Sequence, residues 1–70
     1  MTNVCWNINR KKGYFRIQFW NPNTERPTCI DYPLWIADEL KAQHDQTWQA
    51  LANDLADIVI EESIHEKRDL

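Results

Sequence analysis

The side chains able to do chemistry here are two histidines, two cysteines, eleven carboxylates and eight basic groups. His65 follows Glu61 by four residues, so on a helix the pair shares a face and could meet a metal ion. Two ligands leave a site half built, and no Cys-x-x-Cys or His-x-x-x-His accompanies them. The spacing therefore predicts an exposed ion pair near a helix end. His44 and Cys29 are candidates for nucleophilic chemistry, which needs a third group to orient the base and a site for an oxyanion. The sequence supplies neither, and a chain with one glycine holds no glycine-rich phosphate loop. Seventy residues also leave little volume for a deep pocket. The expectation is a protein that is not an enzyme, with no metal and no cofactor.

Charge is distributed unevenly, and this points to binding. Residues 1–30 carry five basic side chains against one acidic, a net of +4, whereas residues 31–70 carry three against ten, a net of −7. One side of the molecule should be cationic and the other anionic, an arrangement suited to docking on a charged partner. Arg10, Lys11 and Lys12 lie beside Tyr14, Arg16 and Trp20. On a strand surface such a set can stack bases and contact phosphates, so nucleic acid is the alternative partner. The basic run is short and the whole chain is at −3, which favours a protein partner instead. Asp38, Glu39, Asp54, Asp57, Glu61, Glu62 and Glu66 form the acidic set, read either as a solvated helical face or as a surface for a basic protein groove.

The elements that position these groups follow from periodicity. Val4, Trp6 and Ile8, then Phe15, Ile17 and Phe19, alternate with polar residues and predict strands at 4–9 and 14–20 around the loop Arg10–Gly13. Pairing Asn9 with Tyr14 puts all six apolar residues on one face, so turn length and pattern agree on register. The other face carries Asn7, Asn9, Tyr14, Arg16, Gln18 and Trp20. Residues 21–27 read as a loop and 28–31 as a short third strand beside Pro27, with Ile30 inward. Asp31 or Tyr32 should cap a helix with Pro33 at its first position. Its inner side would hold Pro33, Ile36, Ala37, Leu40 and His44, with Leu34 and Trp35 on the flanks. Asp45 is the expected cap of a second helix running to about residue 65. Its core arc would be Trp48, Leu51, Ala52, Leu55, Ile58 and Val59, with Glu62 also falling inside it. A continuous helix over 33–65 is the alternative. Ile60 and Ile64 fall off this arc beside Ala56, as a dimer or partner contact would leave them.

The fold class is thus α+β, a single domain over 1–70 of the form ββ(β)αα. The meander occupies 1–32, two helices with an acidic outer face occupy 33–66, and residues 67–70 form a frayed tail. Four Trp, two Tyr and two Phe compensate for small size by burying large side chains. No apolar run reaches the ~18 residues a bilayer span needs, and Met1–Val4 do not open a signal peptide. A cytoplasmic location with Cys5 and Cys29 reduced is the expectation. The function expected is protein binding by a small regulatory or inhibitory module, in the style of phage and mobile-element accessory proteins. It would dock on a charged surface of a larger partner or form a homodimer. Trp20 and Trp35 would anchor the contact, and Asp54, Asp57, Ile60, Glu61 and Ile64 would line it.

Overall fold

Alternating apolar residues make the first hairpin, and its register is the one that buries them together. In the computed structural model, which describes the backbone of residues 3–68 and the side chains of 3–64, β1 (Cys5–Asn9) pairs antiparallel with β2 (Tyr14–Asn21). Trp6 lies opposite Ile17, Ile8 opposite Phe15 and Asn9 opposite Tyr14. β3 (Arg26–Pro33) pairs antiparallel with the other side of β2 to complete a sheet of order β1-β2-β3. The two connections are one device used twice. Asn9 O accepts the Gly13 N–H and Asn21 O accepts the Glu25 N–H, each at 2.8 Å. The fourth loop residue is left-handed in both, with φ 76° at Gly13 and 55° at Glu25. Each opening asparagine also holds its own loop: Asn9 Oδ1 accepts the Lys12 N–H and Asn21 Oδ1 the Asn23 N–H.

β3 is twice the expected length, because pairing continues through Pro27 to Arg26 at one end and to Pro33 at the other. Both prolines are tolerable because β3 is an edge strand, so a missing N–H breaks no internal ladder bond. This extension moves the helix start. Asp31 and Tyr32 stay in the sheet, Pro33 becomes the cap residue of α1 (Leu34–Gln43), and no side chain caps that end. The Leu34 N–H instead donates to Gly13 O at 2.9 Å, tying the helix to the first hairpin loop.

The helices are separate. α1 ends in a Schellman motif: the Gln46 N–H donates to Lys41 O at 3.0 Å and the Asp45 N–H to Ala42 O at 3.3 Å. Asp45 occupies the left-handed position, φ 49°, that such a motif requires. It therefore terminates α1 and does not cap α2 (Trp48–Arg68). Thr47 is that cap, its Oγ1 accepting the Ala50 N–H at 3.1 Å. α2 carries on past residue 65; residues 69 and 70 of the expected tail lie outside the described residues.

Phe15, Ile17, Phe19, Leu34, Ala37, Leu51, Ala52, Leu55 and Ala56 form the core between sheet and helices. Its composition corrects the expected helix faces. Leu34 is buried and His44 exposed on α1; on α2, Ala56 and Ser63 are buried, Ile60 packs against the core, and Ile58 is 51% exposed. The cause is side-chain size. Ala52, Ala56 and Ser63 let α2 approach the sheet closely, turning the helix towards Ile60 and away from Ile58. A polar staple fixes that phase. Asn21 Nδ2 donates to Ser63 Oγ at 3.1 Å, Asn23 Nδ2 to Ile60 O at 2.7 Å, and Ser63 Oγ to Ile60 O at 2.6 Å.

Candidate functional site

The open sheet face is built from alternate residues of all three strands. Its central row is Asn7–Arg16–Asp31, beside Cys5–Gln18–Cys29. Arg16 makes a bidentate pair with Asp31, Nε to Oδ1 at 2.7 Å and the second nitrogen to Oδ2 at 3.0 Å. Its guanidinium also lies 4.7 Å from the Tyr14 ring centre. The hydrogen bond from Arg16 holds the Asp31 carboxyl below its ordinary range, and Asp31 in turn raises Arg16. Arg16, expected to face phosphate, thus spends its charge on a carboxylate whose register at position 31 was not foreseen. Trp20, 53% exposed and opposite Pro27, supplies the apolar end of this face. Arg10, Lys11 and Lys12 are exposed at the hairpin tip.

Cys5 and Cys29 are free and exposed. They stand on outer strands on either side of Gln18, about 9.5 Å apart by two strand spacings, too far for the Cα separation of a disulfide. Cys29 and His44 line different clefts, so they form no nucleophile–base pair. Among the described residues no group of three His, Cys, Asp or Glu is arranged to hold a metal. The expected Glu61–His65 pair includes a side chain outside the described residues. No helix among the described residues is long and apolar enough to cross a membrane.

Two clefts flank α2. The first, about 440 Å³, runs between the β3 edge and the later turns of α2, lined by Arg26, Thr28, Cys29, Val59, Glu62 and Ser63. Glu62 is exposed there and not in the core; with burial as the larger cause, it raises the Tyr32 phenol above its ordinary value. The second, about 360 Å³, lies where α1 meets α2, with Leu40, Leu51, Leu55 and Ile58 as apolar walls and His44, Gln46 and Asp54 at the polar margin. Gln46 Nε2 donates to Asp54 Oδ2, while Gln46 Oε1 is buried with no hydrogen-bond partner among the described residues. Asp54 and Glu61, at positions −4 and +3 from Ile58, are exposed and neighbour it along one flank of the helix, with Asp57 exposed further round the same flank.

This second cleft gathers part of the expected set and rearranges the rest. Asp54 lines it, with Glu61 and Asp57 exposed further round the same flank of α2; Ile60 is partly buried against the core, and Ile64 is 39% exposed. Trp35 is 69% exposed on α1. Ile58, Leu40 and Gln46 were missed. The signal for Ile58 was the strip of small residues Ala52, Ala56 and Ser63, which marks the closely packed side of α2 better than hydrophobicity does. Lys41, the cation nearest in sequence to the cleft residue Leu40, holds its Nζ 5.2 Å from the Trp48 ring centre. The chain matches no family model, no curated protein and no solved structure.

Proposed function

We propose that this chain is a small, non-enzymatic protein-binding module, regulatory or inhibitory in role, that docks by its acidic helical layer on a positively charged surface of a larger partner. The observation that carries the reading is Ile58: a large apolar side chain, half exposed, with Asp54, Glu61 and Asp57 exposed along one flank of it. An apolar centre with a charged rim is the anatomy of a protein contact, the centre supplying affinity and the rim steering approach. The Arg16–Asp31 pair supports the same reading, since it leaves the sheet face with little positive charge to offer phosphate. The exposed tip Arg10–Lys12 is what favours nucleic acid as the second reading.

Affinity capture from a cytosolic lysate with and without nuclease tests the choice. A discrete protein retained after nuclease, and released by moderate salt, is the expected result. Loss of all bound material on nuclease treatment would transfer the function to Arg10, Lys11, Lys12, Tyr14 and Trp20.

A further inference from the structure

The geometry points to one class of occupant for the α1–α2 cleft: a cationic amphipathic helix contributed by the partner protein. This rests on the protein-binding reading and specifies the site and the ligand. The walls from Leu40, Leu51, Leu55 and Ile58 are apolar, and a volume of about 360 Å³ accepts side chains and not a whole element. A helix laid across such a groove inserts residues spaced i and i+3 or i+4 and leaves its flanks at the rim. The rim fixes the sign of those flanks. Asp54 lines the cleft, Glu61 and Asp57 are exposed further round the same flank of α2, and the neighbouring Lys41 is directed to the Trp48 ring. Charge complementarity therefore selects lysine and arginine beside the apolar anchors, and an acidic helix would meet like charge.

The test is a nuclear magnetic resonance titration of the intact chain with a synthetic helical peptide carrying leucines at i, i+3/i+4 and i+7 and lysines elsewhere. A matched peptide with every lysine replaced by glutamate serves as the control. Expected are saturable shifts at Leu40, His44, Leu55 and Ile58 with the lysine peptide alone. Ile58→Glu separates anchoring from bare charge attraction: it adds an anion and removes the anchor. Binding at least tenfold weaker supports the cleft, as hot-spot losses of this kind do; equal or tighter binding overturns it. Asp57→Lys with Glu61→Lys should weaken binding about tenfold and flatten its salt dependence. Absence of shifts at millimolar peptide, or equal binding of the glutamate peptide, also overturns the assignment. Ile58→Ser gives the same discrimination should Ile58→Glu disturb folding. A captured cellular protein that binds Ile58→Glu undiminished would leave protein binding standing and remove only this cleft.

Discussion

Replacing Asn21 with alanine tests what sets the phase of α2, and hence what keeps Ile58 at the surface. Asn21 is 2% exposed. Its amide donates to Ser63 Oγ at 3.1 Å and its carbonyl accepts the Asn23 N–H at 2.9 Å. Truncation removes both bonds, each worth about 1 kcal/mol net, and leaves space beside a buried hydroxyl. The combined loss is about 2–3 kcal/mol. For a domain of this size each kcal/mol moves the melting temperature by roughly 4–8 °C, so a drop of about 10–20 °C is expected. Circular dichroism melts give the shift, and urea titration gives the free energy independently. A double-mutant cycle with Ser63→Ala should return a coupling of about 1 kcal/mol, because the two side chains share the bond being removed. If Asn21→Ala lowers the melting temperature by less than about 3 °C, or the two changes simply add, the staple neither holds the helix nor sets its phase.

Three further outcomes are expected. Asp45→Gly should stabilise the chain by about 0.5–1 kcal/mol in urea titration, since glycine adopts the left-handed cap at φ 49° without the strain an L side chain carries; Glu25→Gly should behave alike. Tyr32 has its folded pKa raised by burial, so its contribution is complete below the ordinary phenol value near 10 and is lost as pH rises through the folded value; stability measured from pH 8 to 11 should fall more steeply in the parent than in Tyr32→Phe. Asp31 is shifted the other way: its contribution is present above the unfolded value near 3.8 and lost as pH falls through the lower folded value, so any advantage over Asp31→Asn at pH 7 should vanish in acid melts.

The first hairpin was legible because two independent constraints, the period of two and a four-residue loop ending in Gly13, specify one register. The second hairpin was only half legible. Its loop has the same backbone but ends in Glu25 at φ 55°, so the glycine signal was missing and Pro27 appeared to close the strand. Asp45 misled for a related reason: aspartate serves both as helix cap and as left-handed terminator, and residue type alone does not separate the roles. The helix faces were read by hydrophobicity, which ranks Ile58 above Ala56. Packing ranks them the other way, since close approach needs small side chains on the contacting side. The candidate site emerged from that reversal, because a reading by hydrophobicity placed Ile58 in the core arc and Ile60 outside it.

Exposure of Ile58 also divides the kinetics of the proposed contact. The carboxylates of Asp54, Asp57 and Glu61 act at distances up to a Debye length, about 8–10 Å at 0.1–0.15 M salt, and so act before contact is made. The side chain of Ile58 acts only once water has left the cleft. Removing a rim charge should therefore slow association and leave dissociation nearly unchanged. Removing the apolar centre should do the reverse, as most losses of interfacial packing do. Surface-immobilised partner peptide and stopped-flow mixing measure both rates. Asp57→Asn should lower the association rate two- to threefold at low salt and have no effect near 1 M salt, where the Debye length is about 3 Å. Ile58→Ala should raise the dissociation rate about tenfold at any salt. If both substitutions act on the same rate constant, the rim and the centre are not separate parts of one docking surface, and Ile58 is a surface residue without a role.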